Sequence, residues 1–491
     1  MSKTCMQLME GIQCRIEGNP DVAVEGLCIG SRDVLPGFAF FCIKGMVTDG
    51  HKYAQDAVNR GASVIVAQHD LDLEGADQVT LVVVDDTRMA AAQAAANFYD
   101  QPSSKFQLVG ITGTNGKTTT TYLVDHLVQS WGKVCGIIGT TGNRIGTVME
   151  HAERTTPDSV ELQGLFDRMA KAGCQVVAME VSSHALDLRR TWASRFAVTA
   201  FTNLTQDHLD YHHTFEAYFE AKARLFSDDY PATRVICIDD EWGQKLAARC
   251  VQAGHKVLTT GFSEEATLHP VSIEYFDDRT EVRLMVGQEE LSLTYPLVGR
   301  FNVSNMMTAF GIGLALGMQA QDIALWLADA PGVPGRLQRI SSDLKPGVSA
   351  YVDYAHTPDA LEKVIGSIRS LNPKRLLVVF GCGGDRDATK RPIMGKAALA
   401  GDFAIVTSDN PRTEDPQAII DDIVAGMGPA GSDYIVEIDR KAAIYKAVSM
   451  AEPGDAILIA GKGHEDYQIL GTQTIHFDDR EVVACALEGK E

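Results

Sequence analysis

The feature that most constrains the fold is a glycine-rich segment, GITGTNGKTTT, at residues 110–120. An apolar run, FQLVGIT, leads into it and a helical run, TTTTYLVDHLVQSWG, follows, so the order is strand, loop, helix. A glycine-rich turn at that point exposes backbone N–H groups, and the dipole of the helix favours an anion there. The segment therefore predicts a phosphate-binding loop that opens an α/β domain.

The loop departs from the usual GxxxxGK[ST] pattern because Ile111 stands at the first glycine position, although Gly113 and Gly116 remain. Lys117 is predicted to neutralise nucleotide phosphates, and the Thr118 hydroxyl is predicted to hold Mg²⁺. The loop residues expected to bind the nucleotide are Gly113, Thr114, Asn115, Gly116, Lys117, Thr118 and Thr119. This loop alone leaves kinases, motors, switches and ligases open.

The chain has 491 residues, which suits about three domains of roughly 150 residues each. Linker-like sequence at 101–104 and 330–336 predicts domains at 1–104, 105–334 and 335–491. In each of them apolar strand-like runs alternate with helical stretches, which is typical of parallel α/β structure. Residues 270–298 differ, because their short runs predict an antiparallel hairpin element.

Composition excludes several classes of protein. The net charge of −21 disfavours a nucleic-acid surface, so an anionic substrate needs local basic pockets. No apolar run approaches the roughly 20 residues that span a bilayer, and the N-terminus lacks the pattern of a secretory signal. The ten cysteines form no CxxC pair, which favours core thiols in a reducing cytoplasm.

Three further residues of the central domain are candidates for chemistry. Glu180 ends a predicted strand, where it could face the magnesium of the phosphate loop or be an ordinary solvated carboxylate. His208 lies in a loop and Lys222 on a helix, and each alone has an ordinary structural interpretation.

Four polar motifs of the C-terminal domain, DYAH, GCGGDRD, SDNPR and GKGHED, each follow a predicted strand. The carboxyl ends of parallel strands share one edge of a sheet, so these loops are predicted to converge on one crevice. Ordinary strand-to-helix turns are the alternative.

The strings TGTNGKTTT, TTPDS, EVSSHAL, FTNLTQDHLDYH and EAKARLF, in this order, resemble the Mur ligases, which form peptide bonds through acyl phosphates. The resemblance continues through GRFNVSN, GRLQRI and the four C-terminal motifs, and it is closest to members that add the third residue of the stem peptide. It implies an α/β fold of three domains: a small N-terminal UDP-binding domain, a central P-loop ATPase-like domain with a mostly parallel sheet, and a C-terminal Rossmann-like domain.

The resemblance implies ATP and Mg²⁺ and assigns the metal shells to Thr118, Glu180, His208 and Lys222. Lys222 matches a lysine that the family carries as a carbamate derived from CO₂. That modification turns a cation into a carboxylate-like anion, which suits a hard metal ion.

The implied anionic substrate is UDP-N-acetylmuramoyl-L-alanyl-D-glutamate. Residues that match its binding positions are Ser31, Thr155, Thr156, Ser182 and Arg190. The chain departs from some relatives here, since Gly30 replaces an Asp and Leu188 replaces a Gln.

Residues that match the amino-acid site are Arg386, Asp409, Asn410, Pro411, Arg412, Gly461 and Glu465. Arg412 can form a bidentate pair with a carboxylate, while Glu465 can accept an ammonium. A side chain with a zwitterionic far end therefore fits, which favours meso-diaminopimelate over lysine.

In the implied reaction, the D-glutamyl carboxylate attacks the γ-phosphate of ATP with help from Mg²⁺ and Lys117, and the amine then attacks the acyl phosphate. Arg336 is expected to contact ATP phosphate, and Asn302 to touch adenine. Asp353 and His356 are expected to orient nucleotide or amine.

Three alternatives stay open: a lysine-adding homologue, another Mur or folylpolyglutamate-type ligase, and a non-catalytic P-loop ATPase or regulator. The last would need neither Lys222 nor the DNPR crevice. A cytoplasmic monomer without membrane insertion is expected.

Overall fold

The computed structural model describes residues 2–45, 48–75, 78–276, 279–428 and 433–490, which form three successive α/β units, each with its own main sheet. The strands of these sheets lie within residues 14–84, 107–295 and 338–460. The predicted α/β class with three domains is confirmed. The boundaries at 104/105 and 334/335 fall between the sheets and stay predictions.

The N-terminal unit packs an alanine-rich helix against a mostly parallel sheet. The strand order is β2-β7-β6-β5-β4, and only the β2–β7 pair of this sheet is antiparallel. Its elements are β1 (Lys3–Thr4), α1 (Cys5–Leu8), β2 (Cys14–Glu17), β3 (Ala23–Val24), β4 (Gly26–Cys28), β5 (Phe38–Phe41), α2 (Ala54–Asn59), β6 (Val64–Ala67), β7 (Thr80–Val84) and α3 (Thr87–Phe98).

The central unit is built on one long sheet. Its elements are β8 (Gln107–Thr112), α4 (Lys117–Ser130), β9 (Cys135–Gly139), β10 (Gly142–Ile145), β11 (Val148–Glu150), α5 (Ser159–Lys171), β12 (Val176–Glu180), α6 (Ser183–Asp187), β13 (Phe196–Phe201), α7 (Leu209–His212), α8 (Phe215–Ala223), β14 (Thr233–Cys237), α9 (Glu241–Gln252), β15 (Val257–Thr260), β16 (Leu268–Tyr275), β17 (Thr280–Val286), β18 (Glu289–Tyr295), α10 (Arg300–Leu316) and α11 (Ala320–Leu327).

The strand order β11-β10-β9-β12-β8-β13-β14-β15-β16-β17-β18 places β8 between two parallel neighbours, β12 and β13. One core packs α4 and α10 on one face of the sheet, and a second core packs α5 and α8 on the other. Strands covered on both faces carry continuous apolar runs, as β8 and β12 do. The predicted antiparallel element at 270–298 is confirmed as β16, β17 and β18.

The C-terminal unit has the strand order β19-β20-β24-β21-β22-β23, with only the β19–β20 pair antiparallel. Its elements are β19 (Gln338–Ile340), β20 (Ser349–Asp353), α12 (Pro358–Arg369), β21 (Leu376–Phe380), α13 (Arg391–Ala398), β22 (Phe403–Val406), α14 (Pro416–Val424), β23 (Tyr434–Val436), α15 (Arg440–Met450), β24 (Ala456–Ala460), β25 (Tyr467–Leu470), β26 (Gln473–His476) and α16 (Asp479–Leu487).

All ten cysteines are free thiols, as predicted, and most are buried. Across the described ranges, no helix is both long and apolar enough to cross a membrane.

Candidate active site

The loop after β8, which we call the phosphate loop (residues 113–119), turns on two glycines in left-handed backbone conformations. The φ angle is +147° at Gly113 and +87° at Gly116. A Cβ atom on Gly113 would lie 1.9 Å from the hydroxyl of Thr202, and one on Gly116 would lie 2.2 Å from the amide oxygen of Asn305. Conformation and space therefore both require glycine, which brings the backbone close to its neighbours at the start of α4.

Lys117 begins α4 and folds back over the phosphate loop. Its Nζ donates to the carbonyl oxygens of Gly113 and Thr114, at 3.0 and 2.8 Å. Burial lowers the pKa of this half-buried ammonium, while the nearby carboxylates of Glu180 and Asp207 act in the opposite direction. The predicted phosphate-binding lysine is thus held at the loop and faces two acids.

Lys222 reaches the same loop from α8. Its Nζ donates to the carbonyl oxygen of Gly113 at 2.8 Å and lies 4.5 Å from the centre of the Tyr218 ring. The side chain is 1% exposed, and it forms no ion pair with any described residue. Burial, followed by repulsion from Lys117, lowers the pKa of Lys222 well below its ordinary value. The structure therefore favours an uncharged amine beside the phosphate loop.

Glu180 ends β12 and is held by one neighbouring residue. Its Oε1 accepts from the backbone N–H of Thr140 at 3.0 Å, and its Oε2 accepts from the Thr140 hydroxyl at 3.1 Å. A Cβ on Gly139 would lie 2.4 Å from Oε1, so the carboxylate fills space that this glycine leaves. The prediction that Glu180 lies at the phosphate loop agrees with its electrostatic contact with Lys117.

His208 adopts a left-handed backbone conformation, with φ +52°, and packs its ring 4.8 Å from that of His184. Its Nε2 lies 3.4 Å from Oδ2 of Asp207. Burial lowers the pKa of His208 to about 4. The imidazole is therefore neutral near pH 7, which is the form that can bind a metal ion.

The described residues hold no group of three or more His, Cys, Asp or Glu side chains placed to bind a metal ion. The predicted magnesium shells contain only two side chains of those types, Glu180 and His208. The other two are the buried Thr118 hydroxyl and Lys222. Lys222 forms no ion pair with any described residue, and it could bind a metal ion only after a modification that gives it a negative charge. The donor set fits Mg²⁺ on that condition, so the site stays a prediction.

Arg336 joins the C-terminal unit to the phosphate loop. Its Nη2 donates to Oγ1 of Thr118 at 3.1 Å, across 218 residues of sequence. Its guanidinium lies 4.7 Å from the centre of the Tyr354 ring. The predicted contact between Arg336 and the nucleotide phosphates is therefore geometrically available at the start of α4.

The segment that carries Arg336 packs directly on the GKGHED loop. Gly335 has φ +65° and Gly463 has φ +54°. A Cβ on Gly335 would lie 2.1 Å from the carbonyl carbon of Gly463 and 2.1 Å from the backbone nitrogen of His464. This backbone-to-backbone contact, which we call the glycine junction, connects the phosphate-loop side of the site to the C-terminal loops.

A cavity of about 710 Å³ opens between the central and C-terminal units, beside the phosphate loop. Six predicted residues line it: Asn115, Gly116, Thr119, Arg336, Asp353 and His356. Phe262, Tyr275, Arg300, Phe301 and Asn305 also line it, and none of them was predicted. The Arg300 guanidinium lies 3.6 Å from the centre of the Phe262 ring, which gives the far end a flat, partly aromatic wall suited to a purine base.

Asn302 does not line this cavity. Its side chain is buried, and its Nδ2 donates to the carbonyl oxygen of Val298 at 2.9 Å, where it fixes the start of α10. Asn305, one turn later, reaches the cavity beside Gly116. The GRFNVSN string thus contains residues that line the cavity, but the expected contact between Asn302 and adenine stays a prediction.

Asp353 ends β20 and serves as a backbone acceptor. Its Oδ2 accepts from the N–H of Leu337 at 2.6 Å, and its Oδ1 accepts from the N–H of Ala355 at 2.8 Å. Burial raises the pKa of this carboxyl group. His356 is exposed toward the cavity, and its Nδ1 lies 2.8 Å from the carbonyl oxygen of Tyr354. Asp353 therefore fixes the linker, while His356 faces the cavity.

Four of the residues predicted for the muramoyl peptide form one network at the end of β12. The Thr156 hydroxyl donates to the Glu180 carbonyl at 2.9 Å and accepts from the Ser182 N–H at 3.0 Å. Arg190 donates to the carbonyl oxygen of Thr156 at 2.9 Å, and the Thr155 hydroxyl lies 3.1 Å from that of Thr140. This network borders the carboxylate of Glu180.

Ser31 lies apart from that network, in a short 3₁₀ turn (Ser31–Asp33) that follows β4. A Cβ on Gly30 would lie 2.4 Å from Oδ2 of Asp33. The carboxylate of Asp33 therefore occupies the space directly beside Gly30.

Three arginines, Arg88, Arg154 and Arg190, form what we call the basic group at the junction of the N-terminal and central units. Burial lowers the pKa of Arg190, and the nearby charges of Arg154 and Arg88 lower it further. Arg154 lies 3.9 Å from Asp158, and Arg88 donates to the carbonyl oxygen of Lys44. A chain with a net charge of −21 thus groups three positive charges at this junction, beside the carboxylate of Asp158.

The loops after β20, β21, β22 and β24 converge as predicted, because these strands are neighbours in the sheet. We call the space they border the amino-acid crevice. The Asn410 Nδ2 donates to Oε2 of Glu465 at 2.9 Å. Arg412 donates to the carbonyl oxygen of Gly384 at 2.8 Å. A Cβ on Gly461 would lie 2.6 Å from Oδ2 of Asp409, so these loops pack closely.

Two other predicted residues of the crevice are arranged differently. The carbonyl oxygen of Pro411 lies 1.9 Å from where a Cβ on Gly384 would be, so it packs the loop rather than presenting a functional side chain. Arg386 is exposed, and it donates only to the carbonyl oxygen of Asp385 among the described residues.

The hairpin β25–β26 closes one side of the crevice and was not predicted. The Ile469 N–H donates to Oδ1 of Asn410 at 3.0 Å, and the Gln468 amide donates to the carbonyl oxygen of Asp409 at 2.7 Å. The string YQIL directly after GKGHED, followed by a glycine, was the available signal.

Comparison with known proteins gives matching results along nearly the whole chain. Sequence models described as "Mur ligase family, catalytic domain", "Mur ligase middle domain" and "Mur ligase, glutamate ligase domain" match residues 23–99, 111–313 and 335–463. A UDP-N-acetylmuramoyl-L-alanyl-D-glutamate–2,6-diaminopimelate ligase of Gloeobacter violaceus is 45% identical over 95% of this chain and 94% of its own length. One of Clostridium perfringens is 40% identical over 98% and 99%.

Solved structures agree. One of a UDP-N-acetylmuramoyl-L-alanyl-D-glutamate–2,6-diaminopimelate ligase has a TM-score of 0.72 at 32% identity and covers 100% of this chain and 99% of that one. A folylpolyglutamate synthase of Mycobacterium tuberculosis complexed with ADP has a TM-score of 0.64 at 19% identity over 76% of this chain, which indicates a shared fold alone.

Together with these relatives, a phosphate loop joined to a second unit by Arg336, with a separate polar crevice beyond it, identifies an ATP-dependent ligase. The chain belongs to the Mur ligase family.

Proposed function

We propose that this ligase joins meso-diaminopimelate to the D-glutamate of UDP-N-acetylmuramoyl-L-alanyl-D-glutamate in peptidoglycan precursor synthesis, with ATP as co-substrate. The observation that carries the proposal is identity of 45% along nearly the full length to a ligase of that name. The amino-acid crevice supports it, because Asn410, Arg412 and Glu465 lie on neighbouring loops. In a substrate side chain that ends in both a carboxylate and an ammonium, the carboxylate can pair with Arg412 and the ammonium can pair with Glu465.

The first half of the reaction takes place at the phosphate loop. The D-glutamyl carboxylate attacks the γ-phosphorus of ATP, the bond to the bridging oxygen breaks, and ADP and an acyl phosphate form. Lys117, which is held at the phosphate loop, and Arg336, which donates to Thr118, offset the repulsion between the two reacting anions. Bound Mg²⁺ would add further neutralisation of the phosphate oxygens, with Thr118, Glu180, His208 and modified Lys222 as the residues that hold it.

The modification of Lys222 is supported by its surroundings. An uncharged amine is the form that adds to CO₂, and burial beside Lys117 favours that form. The product, a carbamate, would place an oxygen anion where an unmodified ammonium would repel a metal ion.

The second half of the reaction takes place between the phosphate loop and the crevice. The free amine of diaminopimelate attacks the acyl carbon, a tetrahedral intermediate forms, and its collapse gives the amide and inorganic phosphate. The protein contributes mainly by holding three ligands in line. Asp353 holds the linker that carries Arg336, while His356 faces the nucleotide cavity and can orient a ligand there.

The muramoyl peptide is assigned to the Thr155, Thr156, Ser182 and Arg190 network, its diphosphate to the nearby basic group, and its uridine to the N-terminal unit at Ser31. A cytoplasmic enzyme agrees with ten free thiols. We propose that it acts as a monomer.

The test is phosphate release with ATP, Mg²⁺ and the UDP-muramoyl dipeptide, with diaminopimelate or L-lysine added in parallel. Release with diaminopimelate alone, and a tripeptide product of the right mass, supports the proposal. Release with lysine alone would keep the ligase and overturn the role given to Arg412. Release without any amino acid would indicate a non-ligase ATPase.

A further inference from the structure

Lys462 is a buried cation inside the amino-acid crevice that the predicted site does not include. It follows β24 by two residues, and its side chain is 0% exposed. Its Nζ donates to Oε2 of Glu465 at 3.0 Å and to Oδ1 of Asn410 at 3.3 Å. Because a buried ammonium is costly unless it is paired and hydrogen-bonded, these two partners define what Lys462 does. Both partners belong to the predicted amino-acid site.

Lys462 first fixes which way the Asn410 amide faces. Oδ1 of Asn410 accepts from Lys462 and also from the backbone N–H of Ile469, at 3.0 Å. An oxygen that faces two donors cannot exchange places with the NH₂ group without losing both bonds. The NH₂ group must therefore point the other way, where it donates to Glu465 at 2.9 Å.

Lys462 and Asn410 together fix the Glu465 carboxylate. Both donors go to Oε2, and Oε1 accepts no hydrogen bond from any described residue. Burial raises the pKa of Glu465, and the neighbouring Asp409 carboxylate acts in the same direction. The Lys462 ammonium, which lies 4.0 Å from Asp409, opposes both effects. The other ionisable groups that face Glu465 are Tyr354, Tyr467 and Arg440.

We propose that Lys462 is a positioning residue of the amino-acid site, which keeps Glu465 ionised and turned so that its free Oε1 meets the ammonium of the incoming amino acid. This rests on the proposed function, because it takes the amino acid to end in an ammonium. A protonated Glu465 would present an uncharged carboxyl group to that ammonium, so amino-acid binding weakens as pH falls through the pKa of Glu465. Loss of Lys462 moves that weakening to higher pH.

The test is Lys462→Met, which keeps much of the side-chain length and removes the charge. The expected result is a KM for diaminopimelate raised about 10-fold or more near pH 7, since hydrogen bonds to charged groups are at stake. The KM for ATP should change by about twofold at most, and calorimetric ADP binding should confirm that the variant is folded.

The defect should shrink as pH rises from about 6 to 9, and Lys462→Arg should recover part of the affinity. The matched control is Lys374→Met, because Lys374 donates to the carbonyl oxygen of Pro453 at the opposite end of the sheet.

A double-mutant cycle with Glu465→Gln separates positioning from packing. If Lys462 acts through Glu465, the double variant should lose about as much amino-acid affinity as Glu465→Gln alone. Additive losses, an equal loss of ATP affinity, or a defect that does not change with pH would each overturn the inference. If the wild-type enzyme uses another amino acid, the proposed substrate is wrong, and the same cycle measured with that amino acid still decides the role of Lys462.

Discussion

The phosphate loop and the amino-acid crevice, the two regions proposed to bind ATP and the amino acid, are built in opposite ways. The loop is a run of consecutive residues, 113–119, whose shape depends on two glycines and on backbone groups. The crevice is assembled from four loops and a hairpin spread over residues 353–476, and its shape depends on side chains that hold one another. In the phosphate loop, removal of a single group should therefore abolish function. In the crevice, each substitution should weaken binding according to how many hydrogen-bonding partners it leaves unpaired.

The largest expected effect concerns Lys222, which reaches the phosphate loop from α8. It tests whether the function of this loop also depends on a residue distant in sequence. Lys222→Ala should lower kcat by about 100-fold or more, since a group that holds charge at the reacting phosphates is lost. Small carboxylates such as acetate should restore part of the rate. Lys245→Ala is the control, because the Lys245 ammonium lies over the Trp242 ring 5.1 Å away, outside the site. Normal activity of Lys222→Ala would contradict the carbamate assignment.

A second prediction concerns the crevice alone. Arg412→Lys removes the planar fork that can pair with a carboxylate at two points, so the KM for diaminopimelate should rise by about 10- to 30-fold. The KM for ATP should stay the same. Arg386→Lys serves as a comparison, because Arg386 is exposed and should show a smaller change. Equal effects of the two substitutions on the KM for diaminopimelate would contradict the larger role in binding proposed for Arg412.

A substitution at the glycine junction should affect the phosphate loop and the amino-acid crevice together. Gly335→Ala places a methyl group 2.1 Å from the Gly463 backbone, so both loops must move. We expect the KM values for ATP and for diaminopimelate to rise together, by about 10-fold each, since small misplacements at a site are costly. In the control Gly317→Ala, the residue has φ +97° but no atom within 4 Å of the new methyl group, so only backbone strain is added. A change in one KM alone would show that the junction does not couple the regions.

The smallest expected effect concerns two asparagines in one helix. Asn305→Ala should raise the KM for ATP by about threefold, because Asn305 lines the nucleotide cavity. Asn302→Ala should leave that KM nearly unchanged and lower the free energy of unfolding by about 1–3 kcal/mol, because a buried hydrogen bond to Val298 is lost. Denaturant unfolding and steady-state kinetics on the two variants decide between them. A raised KM in Asn302→Ala would restore the expected adenine contact.

The two regions also differ in how far the sequence alone predicts them. The phosphate loop could be placed from residues, because a strand, two glycines and a lysine at fixed spacing determine local backbone geometry. The crevice could be placed from topology, because loops after neighbouring parallel strands meet at one edge. The three-domain fold followed from chain length and linker-like sequence, and the antiparallel element at β16–β18 followed from its strand pattern.

What could not be predicted depends on contacts between distant segments. Phe262 and Tyr275 look like ordinary apolar residues until the fold brings them to the wall of the cavity. Lys462 sits in a recognised motif, yet its burial and its pairing with Glu465 depend on how the β25–β26 hairpin covers the crevice. Asn302 and Asn305 differ by about one helical turn, and only the packing of α10 decides which of them lines the cavity.

The basic group of Arg88, Arg154 and Arg190 has a consequence for how fast the anionic substrate arrives. At low salt the net charge of −21 repels an anionic substrate at long range, whereas at 0.1 M salt only charges within about 10 Å, such as those of the basic group, still act strongly. Added salt should therefore speed association at low ionic strength, because it screens the distant charges of the protein before it screens the basic group. The rate of encounter with the substrate should therefore depend on the ionic strength of the solution.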